Sequence, residues 1–393
     1  MGRSVLFIGY GMEGHFLRPY GYQRVVQGSA ASLALRGHEV AYLELMWGKG
    51  RPLDEHVGLL AEGRELGIRL IRAILRRHTA KGGLSFYVDS ARVRLGEQLK
   101  KVLVEFGPDY VVCEERIPWF TARDVVRLTG ARLVFRAHII ELLEAPCRGL
   151  RGLGKATWPY TMTFYTASLA RASDWALTLA FQDERELRKL LVRRVSTVEP
   201  TYAPIANHAS RDEVRHLVEE HPAFFITYEP RRLHVRLARA LPGVDFLIIG
   251  VSQEALTRAL GLPREKVPDN MMALGRVYEP DLAVLFERAM ALLIPQKCFS
   301  GFCIRLIEGL AYGTPMLTTR DVAGKVRGLV DGVHLLVEDD YRRWPDLLAR
   351  LAEDEELRIE LGENAREFYQ RRLRPQVHGR RIEAIFDIIG RGS

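Results

Sequence analysis

No run of apolar residues in this 393-residue chain approaches the roughly 18–20 needed to cross a bilayer. The first residues, MGRSVLFIG, lack the longer apolar segment and small-residue cleavage site of a secretory leader. The expectation is a cytoplasmic protein. Cysteine is scarce: Cys113, Cys147, Cys298 and Cys303 are scattered, and none sits in a CxxC pair. That spacing argues against a zinc ribbon and a dithiol redox motif. Cys298 and Cys303 are near neighbours, yet small buried thiols are the ordinary reading of such residues. Low-complexity tracts and internal repeats are missing too. So are a zinc finger, an RNP motif and a clear helix-turn-helix, and no nucleic-acid partner is expected.

What is present describes a globular protein too long for one ordinary core. Apolar residues make up 47% and charged residues 27%, with a formal charge of +8. A basic balance of this kind suits anionic partners, whether nucleic acid, phosphorylated ligands or an acidic membrane surface, and does not choose among them.

The chain alternates strand and helix, which favours parallel sheets with right-handed crossovers. Ser4–Gly9 reads as a buried strand, Arg24–Leu35 as a helix stopping at Gly37, and His38–Leu45 as the next strand. Asp109–Glu114, Arg132–Arg136, Trp175–Leu179 and Val195–Val198 continue the series, with a helix at Phe120–Thr129. The proline-bearing stretch Glu199–Pro222 reads as an interdomain linker. A second series follows: strands at Ala223–Tyr228, Asp245–Gly250, Ala289–Ile294 and Pro315–Thr319, and helices at Leu233–Ala240 and Phe302–Tyr312. The tail Gln376–Ile389 is an amphipathic helix suited to packing back on the first domain.

The segment Cys298 to Thr319, CFSGFCIRLIEGLAYGTPMLTT, carries the most chemistry. Ser300 is a suitable N-cap for a helix over 301–312, closed by Gly313 and Pro315. The N–H groups of Gly301, Phe302 and Cys303 then point at a phosphate-sized anion. Glu308 lies two turns on, about 10 Å along the axis, near the span from a diphosphate to its ribose hydroxyls. Arg305 shares that side. By spacing alone, Arg305 and Glu308 equally suit an ion pair on a solvated helix.

GFCIRLIEGLAYGTPMLTT resembles the donor-binding signature of the group 1 glycosyltransferases (family four, GT-B fold). LGRVY at 274–278, DGVHLLV at 331–337 and the helices from Asp354 resemble the family in the same order. The resemblance is specific in the C-terminal half and weaker before it. It implies an α/β protein of two Rossmann-like domains facing across a cleft: an acceptor-side domain over 1–203, a nucleotide-sugar domain over 204–373, and a crossover helix over 374–393 returning to the first.

It further implies a hexosyl transfer from a UDP-, GDP- or ADP-sugar, with retention and without metal or other cofactor. The family commonly has a glutamate where this chain has Ser300. A variant with glycine, a basic residue four on and glutamate three further matches Gly301, Arg305 and Glu308. A catalytically silent homologue serving as a binding subunit, or a nucleotide-sugar epimerase, are the alternatives.

Other candidates follow strands. Arg136-Ala-His138-Ile-Ile-Glu141 is similar to the family's R-x-H-N-x-E segment, which implies that His138 meets the donor sugar; Glu141 is a candidate to orient it. Catalytic roles fall on His138 and Glu308. Gly9 to Gly14 spells GxGxxG, but Pro19 and Gly21 interrupt the helix a dinucleotide site requires. By resemblance Gly11 and Gly14 approach the donor phosphates instead. Arg231 and Arg232 stand where the family binds diphosphate, and Arg276 and Val277 where it meets the nucleobase.

Two stretches suit an anionic membrane and hence a glycan or lipid-linked saccharide acceptor. Gly67–Arg77 (GIRLIRAILRR) reads as a basic amphipathic helix, and Arg148–Arg171 mixes basic residues with Trp158, Tyr160, Phe164 and Tyr165.

Overall fold

The computed structural model describes residues 2–11, 21–47, 53–75, 95–144, 153–204, 212–297 and 300–391. The chain divides into two compact units. The first is Met1–Ala206 with Cys298–Ile304 and Leu373–Ser393; the second is Asn207–Lys297 with Arg305–Arg372.

The first unit holds strands β1 (Ser4–Gly11), β2 (Glu39–Trp47), β3 (Leu53–Ala61), β4 (Arg64–Leu75), β5 (Tyr110–Glu114), β6 (Arg132–Ala137), β7 (Trp175–Thr178) and β8 (Val195–Thr197). They form one sheet in the order β3-β4-β2-β1-β5-β6-β7-β8. Every pairing is parallel except β3 with β4.

Alternation along β1 serves two cores. Leu6 and Ile8 pack with Leu103, Trp119 and Val125 from the helices Glu97–Phe106 and Trp119–Thr129. Val5 and Phe7 pack with Val26 and Ala30 from the helix Gly21–Leu35 and with Ile382 and Phe386 from Pro375–Arg391. A strand buried on both faces therefore reads as an unbroken apolar run. The tail helix sits on the first unit as its amphipathy suggests. Gly379 makes the approach close: a Cβ there would lie 2.7 Å from the Ser32 carbonyl oxygen.

The described part of the expected helix Gly67–Arg77, residues 67–75, is strand instead, the last nine residues of β4. Ala61 and Arg64 pair across Glu62 and Gly63, both with left-handed φ (49° and 74°). That is the geometry of a two-residue hairpin turn whose twist matches its strands. Ile68 and Leu70 then join Val57, Leu59 and Ala61 in one core, while Ile71 joins the other. The arginines are spent in the sheet as well. Arg72 pairs with the buried Glu44 at 2.8 Å, and Arg69 grips Asp54 through two bonds of 2.8 Å. The sequence carried two periods at once, and pairing with β2 and β3 selected the strand.

The second unit holds β9 (Phe224–Thr227), β10 (Asp245–Ile249), β11 (Met271–Gly275), β12 (Ala291–Ile294), β13 (Met316–Thr318) and β14 (Leu336–Val337). Its sheet is wholly parallel, in the order β11-β10-β9-β12-β13-β14. Phe225, Phe246, Leu293 and Leu317 pack with Leu233 and Leu237 of the helix Arg232–Ala240 and with Trp344 and Leu348 of Trp344–Glu353. Of the expected linker, residues 205–211 lie outside the described residues, and Asp212–Glu220 is a helix.

Candidate active site

In the first unit the strand order reverses between β1 and β5, the place where open parallel sheets bind ligands beyond their C-terminal ends. Glu114 ends β5 and His138 follows β6. His138 Nε2 lies 2.7 Å from Glu114 Oε2, and Arg136 Nη1 lies 3.2 Å from Glu114 Oε1. Glu114 is wholly buried; Arg136 and His138 nearly so. Burying a carboxylate is costly unless cations and donors satisfy it, and both lie within reach here.

Glu115, with φ of +68°, turns its carboxylate to accept the backbone N–H groups of His138 and Ile139. The Tyr22 ring lies against the imidazole, 4.9 Å between centroids, and its phenol oxygen accepts the N–H of Tyr10. Glu141 does not orient His138. It pairs with Arg116, and burial raises its carboxyl above the ordinary value. The sequence reading chose the carboxylate on the histidine's own loop, whereas the one in contact arrives from the neighbouring strand.

The loop before Glu308 also differs from expectation. The helix spans Ile304–Tyr312, so it starts three residues later than Gly301. Ser300 is not its cap. The buried Ser300 hydroxyl donates to Asp183 Oδ1 at 3.2 Å and accepts the N–H of Ile140. The Gly301 N–H donates to Asp183 Oδ2 at 3.1 Å, so it does not await an anion.

Gly301 has φ of +69°, and a Cβ there would stand 2.5 Å from the His138 carbonyl oxygen. Glycine is required because two loops touch, backbone to backbone. Phe302 and Ile304 pack with Val25 and Leu179. Cys303 is a buried free thiol; Cys298 lies outside the described residues.

In the second unit the order reverses between β9 and β12. Tyr228, just past β9, donates its phenolic O–H to Glu308 Oε2 at 3.0 Å. Glu308 is buried at 2% exposure, which removes it from a solvated helix face. Arg305 reaches a different carboxylate. Its guanidinium lies 2.9 Å from Glu229 Oε1 and stacks over the Tyr228 ring, 4.9 Å from the centroid.

Arg231 bonds the other Glu229 oxygen at 3.0 Å. Two guanidinium groups thus converge on one carboxylate, and burial opposes but does not outweigh their pull, which holds the Glu229 carboxyl below its ordinary value. Arg232 is exposed at the start of its helix. Arg276 (exposed) and Val277 (buried) follow β11 at its C-terminal end.

Gly11 ends β1, and Gly14 lies outside the described residues. In the aromatic stretch, the helix Leu153–Arg171 leaves Tyr160 and Phe164 more than half exposed; residues 148–152 are outside the description. No described helix is long and apolar enough to cross a membrane. No described group of three or more His, Cys, Asp or Glu is arranged to hold a metal ion.

Sequence reasoning missed Glu114, Asp183, Tyr228 and Glu229. The one available signal was position: Glu114 and Tyr228 each close a buried apolar run, where α/β proteins place ligand-facing residues.

Residues 234–368 match the family model for glycosyl transferases group 1. No curated protein matches the chain in sequence. Solved structures align over nearly its whole length. A sucrose-phosphate synthase from Thermosynechococcus elongatus does so at TM-score 0.75 and 15% identity, covering all of both chains. Anabaena HepE in complex with UDP-glucose gives 0.65 and 11%, covering 98% of this chain and 99% of its own. WaaG, a glycosyltransferase involved in lipopolysaccharide biosynthesis, gives 0.62 and 20% at the same coverage. The chain has the GT-B fold, and the segment 234–368 is similar to the group 1 glycosyl transferases.

Proposed function

We propose that this protein transfers a hexosyl group from a nucleoside diphosphate sugar to an acceptor hydroxyl, with retention and without a metal ion. The observation that carries the reading is the buried Glu308, held by Tyr228 at the strand-order reversal of the second unit and inside the group 1 match. A buried carboxylate with one oxygen fixed by a phenol is suited to accept hydrogen bonds from a ribose diol. Arg231 and Arg305, gathered on Glu229, supply positive charge for a diphosphate leaving group. HepE in complex with UDP-glucose, and starch synthase IV bound to ADP, are neighbours that support a nucleotide-sugar donor. His138 is the residue we assign to the donor sugar. The acceptor we assign is a glycan or lipid-linked saccharide.

The test is a thermal-shift screen against UDP, GDP, ADP and their glucose conjugates, wild type beside Glu308→Ala. A ligand bound by the native state raises its melting temperature by mass action. A rise with one nucleotide that the variant loses supports the reading and identifies the base. No rise with any nucleotide overturns it in favour of a silent homologue. Conversion of the sugar nucleotide without acceptor indicates an epimerase.

A further inference from the structure

We infer that Glu114 is a positioning residue that fixes His138 as its Nε2–H tautomer, so that His138 meets a ligand hydroxyl through the lone pair of Nδ1. As to the ligand, the inference rests on the function proposed above; as to the tautomer, it stands on geometry alone.

The argument begins with Arg136. Glu114 Oε1 lies 3.2 Å from Arg136 Nη1, an ion pair that turns this oxygen toward the guanidinium without a hydrogen bond between them. The second oxygen, Oε2, lies 2.7 Å from His138 Nε2, and a carboxylate oxygen there is the acceptor of that hydrogen bond. A neutral imidazole has one N–H, and this acceptor claims it. Nδ1 is left with its lone pair and has no hydrogen-bond partner among the described residues.

The arrangement is anchored from both sides. Arg136 also donates to Ser29 Oγ at 3.0 Å, and Glu115 holds the His138 and Ile139 backbone N–H groups. The Tyr22 ring limits rotation of the imidazole. Nδ1 is therefore an acceptor, suited to a sugar O–H and unsuited to a carbonyl or phosphoryl oxygen.

The same geometry dictates what Glu114→Gln does. The Arg136 cation, 3.2 Å from Oε1, repels an NH2 and attracts an oxygen, so the amide turns its carbonyl to Arg136 and its NH2 to His138. Nε2 must then accept, and the proton moves to Nδ1. An isosteric change thus inverts the tautomer, as replacing the orienting carboxylate by its amide does in a serine-protease triad.

The experiment is a long-range 1H–15N correlation spectrum of the full chain labelled at histidine, at neutral pH, with the His138 signals assigned by their loss in His138→Gln. Wild type is expected to show a protonated Nε2 and an unprotonated Nδ1, and Glu114→Gln the reverse. A wild-type His138 protonated at Nδ1, or exchanging equally between tautomers, overturns the inference whether or not any nucleotide binds and whether or not the variant folds. An unchanged tautomer in folded Glu114→Gln overturns it too. With a donor in hand, Glu114→Gln is expected to lower kcat about 100-fold or more with the donor KM nearly unchanged. Equal loss in KM and kcat indicates a structural role and counts against it.

Discussion

Tyr228 and Glu308, eighty residues apart, meet at 3.0 Å, phenol to carboxylate, within the second unit. The bond occupies Oε2 of a carboxylate that solvent scarcely reaches. Removing the acid and removing the phenol should therefore have unequal effects. Glu308→Ala is expected to weaken binding of the preferred nucleotide at least about tenfold, the loss of hydrogen bonds to a charged group. Tyr228→Phe keeps the ring under Arg305 and should cost about threefold. Isothermal titration of both variants checks the order; a larger effect from Tyr228→Phe would reverse the roles.

Gly301 is held in a left-handed conformation against the His138 carbonyl. Gly301→Ala should destabilise the chain by about 1–3 kcal/mol through strain and the clash. Gly96→Ala is the control, since Gly96 has ordinary φ and nothing within 4 Å of an added Cβ. Paired urea melts should separate the two variants clearly.

Two buried histidines predict a pH dependence. Burial is the main cause lowering both His234 and His378 to about 3. His234 Nδ1 accepts the Arg231 N–H, which only an unprotonated nitrogen can do; His378 Nδ1 donates to the Glu199 carbonyl, a bond that opposes but does not outweigh burial. Unfolded, each titrates near 6.5 and binds a proton that the folded form refuses. Their stabilising contribution is complete above about pH 6.5 and is lost as pH falls toward 3. Each adds a slope of up to about 1.4 kcal/mol per pH unit in that window. Denaturation of His378→Gln between pH 7.5 and 4.5 should show a shallower dependence than wild type; an unchanged slope would remove His378 from the account.

The pair Arg72–Glu44 tests β4. Arg72→Met leaves Glu44, wholly buried, without that guanidinium. A loss of about 3–5 kcal/mol is expected, with recovery in the double variant Arg72→Met, Glu44→Met. An exposed helical arginine would have cost within about 0.5 kcal/mol.

Much of the architecture was legible because a strand buried on both faces leaves an uninterrupted apolar run, as SVLFIG, YVVCE and FLII do. Gly313 and Pro315 marked the end of the Glu308 helix correctly, since chain termination is a local matter. Its beginning was misplaced. Serine before glycine reads as a cap, but Asp183, more than a hundred positions away, claimed both groups. The β4 segment failed likewise, because GIRLIRAIL satisfies a helical and a strand period together, and only its neighbours in the sheet choose.

What the sequence determined by itself is the alternation of strands and helices, the group 1 signature around Glu308, and the candidacy of His138 and Arg305. These follow from residue order over one or two turns of chain. Tertiary structure alone decided the partners: Glu114 for His138, Tyr228 for Glu308, Glu229 for Arg305, and Asp183 for the loop at Gly301. A parallel sheet joins strands distant in sequence and brings their C-terminal ends side by side, so the chemistry of each end depends on a neighbour that no local pattern names.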